Sequence, residues 1–70
     1  MKYIFPERLK ELRLEKNLST RQLAKELGNE ITKTTICNWE SGKSIPNFKS
    51  VIMIAEYFGV DANFFAGDEY

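Results

Sequence analysis

Leu9 and Leu12 open an apolar stripe that runs to about Asn17, and Leu23, Ala24 and Leu27 repeat its i, i+3, i+4 spacing. In a third segment Ile36, Trp39 and Glu40 point one way on a helical wheel, while Thr34, Cys37, Asn38 and Ser41 point the other. The fourth stripe, Val51, Ile54, Ala55 and Phe58, is the longest. The punctuation between stripes agrees with their period. Pro6 suits the first position of a helix, where its missing N–H costs nothing. Ser19, with Gln22 three residues on, makes a capping box, and Gly28 supplies a helix end. This predicts a second helix over 20–27 and a third over 33–41, preceded by Thr32 and stopped by Gly42. Ile45-Pro46 breaks the chain, Asn47 caps a fourth helix that Gly59 closes, and Asp61 is placed to cap a short fifth helix through Phe65. No stretch alternates with period two, so the expected fold is all-α, with five helices and residues 1–70 in one domain.

Composition narrows what such a domain can do. At 70 residues it buries only about 60% of the surface its unfolded chain exposes, so its core is economical. The longest uninterrupted apolar run, Val51 to Ala55, is far too short to span a bilayer, and Met1-Lys2-Tyr3-Ile4-Phe5-Pro6 lacks the long apolar stretch of a signal peptide. The expected location is therefore cytosolic, with no membrane partner. One cysteine permits no internal disulfide, and no histidine means no Ser-His or Cys-His nucleophile pair and no zinc site of the usual kind. An enzyme is not expected, nor a cofactor. Ten basic and ten acidic residues cancel, but unevenly: Lys16 to Lys49 carries net +3 and Ser50 to Tyr70 net −4. Such polarity suits a domain that turns one face toward phosphates.

The run Leu18-Ser19-Thr20-Arg21-Gln22-Leu23-Ala24-Lys25-Glu26-Leu27-Gly28, followed by Thr35-Ile36-Cys37-Asn38-Trp39-Glu40-Ser41-Gly42-Lys43, resembles the helix-turn-helix of the phage repressor and Cro-type (XRE-like) DNA-binding family. The resemblance extends from about Glu7 to Gly67. It implies that the third helix enters the major groove, which admits one α-helix whose outward side chains reach base edges. Counted back from Trp39-Glu40-Ser41-Gly42, the family's base-reading positions fall on Lys33, Thr34 and Asn38. The chemistry of all three suits base reading. Lys33 can donate to guanine O6 and N7, Asn38 can pair with adenine N6 and N7, and the Thr34 methyl can touch a thymine methyl. The resemblance assigns phosphate contacts to Thr20, Ser41, Lys43 and Ser44. Thr20 stands where the family often has glutamine and Ser41 where it commonly has asparagine. It also implies a structural ion pair between Arg13 and Glu40, and a core role for Trp39. One departure stands out. The family has a single apolar residue after the glycine, whereas this chain reads Gly28-Asn29-Glu30-Ile31, two residues longer if Ile31 takes the apolar role. Glu30 also sets a negative charge near the recognition helix, where it favours the helix dipole and repels phosphate.

Met53 and Tyr57 lie i, i+4 apart, off the fourth stripe, and with Phe64 they form a candidate dimer surface. The expected function is sequence-specific binding of double-stranded DNA by a repressor-like transcriptional regulator, as a homodimer on a pseudo-palindromic operator, with no small-molecule ligand. The alternative is a protein-interaction module on the same scaffold, an antitoxin-like or anti-repressor partner. Zero net charge, Thr20 and the longer turn favour that alternative, and salt-dependent DNA binding discriminates the two.

Overall fold

Four α-helices and one 3₁₀ turn account for most of the residues described by the computed structural model, 4–28 and 30–65: α1 (Phe5–Glu15), α2 (Thr20–Leu27), α3 (Lys33–Ser41), α4 (Phe48–Phe58) and the turn Ala62–Phe65. Asn29 of the long turn and Gly67, where the resemblance ends, lie outside the described residues. Among the described residues there is no strand, and no helix is long and apolar enough to cross a membrane.

The helix boundaries have local causes. Ser19 Oγ accepts from the Gln22 N–H at 3.0 Å and Gln22 Oε1 accepts from the Ser19 N–H at 2.8 Å, a reciprocal capping box that satisfies two donors at the start of α2. Thr32 and Asn47 cap α3 and α4 by accepting from the N–H groups of Thr35 (3.2 Å) and Ser50 (2.8 Å). α1 begins at Phe5, one residue before the expected Pro6, so the proline sits just inside the first turn. It ends at Glu15, short of the expected Asn17, which follows the Lys16 C-cap in the left-handed region at φ 58° that its short polar side chain tolerates better than most residues. The N–H groups of Asn17 and Leu18 then close back on the carbonyls of Leu14 (2.9 Å) and Arg13 (3.1 Å).

The expected fifth α-helix is a four-residue 3₁₀ turn. Asp61 Oδ1 accepts from the N–H of Asn63, two residues on, at 2.9 Å, and the Asp61 carbonyl accepts from Phe64, three residues on. That is turn geometry; a segment this short has no room for a succession of α-helical i→i−4 bonds. The turn still buries Phe65.

Each α-helix contributes to one core in which Phe5, Leu9, Leu23, Ile36 and Ile54 are fully buried. α3 packs against both α1 and α2, α4 contacts α2, and the 3₁₀ turn bridges α1 and α4. The Phe5 ring meets Trp39 edge-on at 6.2 Å and Phe65 at 5.0 Å, so one aromatic side chain joins the first helix, the third and the terminal turn. With Ile36 and Trp39 committed inward, α3 presents a fixed opposite face.

Candidate nucleic-acid interface

The outward strip of α3 follows from its anchored side. Opposite Ile36 and Trp39 on the helix lie Thr34, Cys37, Asn38 and Ser41, with Lys33 at one margin. Thr34, Ser41 and Lys33 are exposed, whereas Cys37 and Asn38 are half-buried. The N-terminal end of this strip is stiffened by two threonines: Thr32 Oγ1 caps the Thr35 N–H and also lies 3.1 Å from the Thr35 hydroxyl.

The segment after α3 is fastened to the same helix. The Asn38 carbonyl accepts from the N–H groups of Lys43 (2.9 Å) and Ser44 (3.3 Å) and from the Ser41 hydroxyl (3.2 Å). Gly42 makes this reversal possible at φ 82°. A Cβ there would meet no neighbouring atom, so the constraint on that residue is conformational rather than steric. Lys43 is exposed and Ser44 half-buried beside it. Ser41 is already donating inward, and to reach a phosphate its hydroxyl would have to give up the Asn38 carbonyl. Thr20, at the first position of α2, is half-buried.

Arg13 holds this arrangement together. Its Nε donates to Glu40 Oε2 at 2.6 Å and its Nη2 to Glu40 Oε1 at 2.9 Å, a bidentate pair between side chains each only 10% exposed. The remaining nitrogen, Nη1, donates to the Leu18 carbonyl at 2.8 Å. Arg13 therefore grips Leu18 twice, with its backbone carbonyl and its guanidinium, while reaching across to α3. α1, the entrance to α2 and the end of α3 share one side chain. The hydrogen bonds to Glu40 raise the guanidinium pKa against the opposing effect of burial, so Arg13 stays charged throughout the pH range of a folded protein.

In the long turn, the Ile31 N–H donates to the Gly28 carbonyl at 3.1 Å and Ile31 packs, half-buried, against the core. The i→i+3 bond brings Ile31 back to the core despite the additional residues.

Met53, Tyr57 and Phe64 are half-buried and pack against the core. Tyr57 bridges elements: its hydroxyl lies 3.4 Å from Glu26 Oε1 on α2, and the Lys16 ammonium stands 5.4 Å from its ring centre. The Arg8 guanidinium lies 4.5 Å above the Phe64 ring. Large parts of these side chains thus serve the fold itself. Burial pushes the Tyr57 phenol above its usual ionisation range, and the Glu26 carboxylate adds to this by charge and by hydrogen bonding. The folded state favours the neutral phenol, so this contribution is complete below about pH 10 and is lost as pH rises through the raised folded value. Tyr57→Phe is therefore expected to show a shallower loss of thermal midpoint than the parent as pH rises above about 10. Parallel midpoint curves would show that the phenol is not linked to folding.

Two features escaped the sequence pattern. The Leu18 carbonyl as an Arg13 partner carries no side-chain signature. Ile45 and Phe48 are strongly exposed although both are large and apolar.

Two capped helices joined by the turn from Gly28 to Ile31, the second bearing an outward polar strip and packed against the first, define a helix-turn-helix protein. The chain belongs to the helix-turn-helix family of the XRE, or Cro and C1, type: the family model matches residues 9–65. It is 45% identical over 56 residues to the HTH-type transcriptional activator BcrR of Enterococcus faecalis, a match covering 80% of this chain and 26% of BcrR. This chain thus spans about a quarter of that relative's length. Its fold is similar to the solution structure of the SOS-response transcriptional repressor LexA from Eubacterium rectale, at a TM-score of 0.83 and 26% identity, over 94% of this chain and 68% of the other.

Proposed function

We propose that residues 1–70 form one DNA-binding domain of a transcriptional regulator, which reads double-stranded DNA by laying α3 in the major groove. The observation that carries this reading is the pairing of an outward polar strip on α3 with a lysine-bearing loop fastened to that same helix through the Asn38 carbonyl. Lys33, Thr34 and Asn38 read base edges. Lys43 and Ser44, with Thr20 and Ser41, hold phosphates. No catalytic step or cofactor is needed for this role. The net positive charge of Lys16 to Lys49 supports a polyanionic partner despite the neutral total.

One recognition helix reads only a few base pairs, so specificity calls for two copies on half-sites about 34 Å apart. The exposed parts of Met53, Tyr57 and Phe64 supply the meeting surface. They are small beside the roughly 800 Å² per partner of a standard interface, which makes association dependent on DNA. Occupancy of an operator overlapping a promoter represses by exclusion, and we take this as the default outcome. BcrR is named an activator and LexA a repressor, and the sign for this chain follows from operator position.

The test is selection of bound duplexes from a random pool, followed by affinity measurement across salt concentrations. The expected result is a two-fold symmetric motif and a steep salt dependence. Lys43→Ala is expected to weaken binding equally across sequences and to reduce the magnitude of the salt slope by about 0.9. A salt-independent association, or no enriched motif, would instead support the protein-interaction role.

A further inference from the structure

Two of the three exposed large apolar side chains among the described residues lie in the segment that leaves α3. Ile45 is 73% and Phe48 77% exposed, while Pro46 between them is buried. The proline pins this segment to the body of the domain with a fixed φ, and the two apolar side chains project on either side of it in the chain. The segment's start is equally fixed, by the bonds from Lys43 and Ser44 to the Asn38 carbonyl. Exposed lysines bracket the pair, Lys43 before and Lys49 after, and no carboxylate occurs in the chain between Glu40 and Glu56.

The position of this segment limits what it can meet. In the proposed docking, the Lys43–Ser44 loop meets the phosphate backbone at the edge of the major groove, and the minor groove lies on the other side of that backbone. Apolar side chains flanked by cations suit that surface: ammonium groups meet phosphates, and isoleucine or phenylalanine meets sugar edges and base steps. A second copy of this chain fits worse. A two-fold contact centred here brings Lys43 and Lys49 toward their own counterparts, where like charges repel.

We infer that Ile45 and Phe48 form a two-point apolar contact with the deoxyribose edges of the minor groove beside the segment read by α3, with Lys43 and Lys49 on the flanking phosphates. The inference rests on the DNA-binding role proposed for α3 and extends its footprint past the major groove.

The test uses a duplex selected from the random pool by the parent protein, with the double variant Ile45→Ser/Phe48→Ser and the single variant Ile45→Ser. Both side chains are exposed, so both variants are expected to keep the parent's thermal midpoint. The double variant is expected to bind about tenfold more weakly, with Ile45→Ser between it and the parent, as when apolar side chains lose a burying partner. Its salt slope stays that of the parent, because no phosphate-bound cation is removed. Hydroxyl-radical protection of the flanking minor-groove sugars disappears while protection of guanine N7 in the major groove persists. Unchanged affinity and footprint overturn the inference. So does loss of full-site cooperativity with half-site affinity intact, which identifies a second copy as the occupant. Failure of the parent to bind any duplex in a salt-dependent way overturns the DNA-binding role and this contact with it, whereas a normal parent beside an unaffected double variant overturns the contact alone.

Discussion

Glu40→Ala is expected to cost about 3–5 kcal/mol of folding stability, because it strands the Arg13 guanidinium in a site only 8% exposed. The charge cannot leave by deprotonation, since the guanidinium holds its proton beyond any pH the fold experiences. Of the three hydrogen bonds that hold the guanidinium, only that to the Leu18 carbonyl survives. A domain of this size has about 5–15 kcal/mol in total and loses about 4–8 °C of thermal midpoint per kcal/mol, so the variant melts far below the parent. Glu26→Ala is the control: that carboxylate is exposed and has one long hydrogen bond, to Tyr57 at 3.4 Å, so its loss is expected below about 1 kcal/mol. Arg13→Met/Glu40→Leu should recover much of the deficit, because replacing both buried charges with apolar groups leaves neither unpaired. Equal midpoints for Glu40→Ala and Glu26→Ala would show that the brace contributes no more than a surface contact.

Asn38→Ala is expected to cost about 1–3 kcal/mol of DNA affinity, concentrated at one base position. The substitution is clean for a structural reason. What anchors the Lys43–Ser44 loop is the backbone carbonyl of Asn38, which alanine retains, so the loop and its phosphate contacts stay in place. Alanine also favours the helix. The expected signature is a relaxed preference at one position of the selected motif, with the salt slope and thermal midpoint held. This is the reverse of the Lys43→Ala pattern, and the pair of variants separates base reading from backbone positioning. If Asn38→Ala leaves motif and affinity as in the parent, the reading strip of α3 lies elsewhere. Tyr57→Glu is a poor probe of self-association by comparison. It would set a second carboxylate beside Glu26 and disturb the contact between α4 and α2 before any partner is involved.

The helices and their caps are legible in the sequence because their causes are local. Ser19 and Gln22, Thr32 and Thr35, and Asn47 and Ser50 are each three residues apart, and each pair meets within a single turn of backbone. The apolar stripes depend only on the period of the helix, so Leu23, Ile36 and Ile54 can be placed in a core before any packing is known. The 3₁₀ turn in place of a fifth α-helix has an equally local reason. Asp61 looks the same ahead of a 3₁₀ turn as ahead of an α-helix, and only the number of residues that follow decides between them.

Other features need distance. Phe48 falls near the apolar stripe of α4 when counted by period, three residues before Val51 and seven before Ala55, yet it stands in the first turn, where its side chain is left exposed. Met53, Tyr57 and Phe64 fall off the stripe and by period alone are available to a partner. The neighbours around Tyr57 and Phe64, namely Glu26, Lys16 and Arg8, come from α2 and from α1 and its end.

The sequence by itself thus determined the helical class, the helix limits to within about two residues, the inward residues and the polar strip of α3, because each depends on contacts within a few residues. Only the tertiary structure decided that one arginine serves Leu18 and Glu40 together, that Ile31 returns to the core across a longer turn, and that Ile45 and Phe48 are left uncovered. Those outcomes depend on which surfaces remain free after four helices have buried their stripes against one another, a property of the packed assembly that no local period contains.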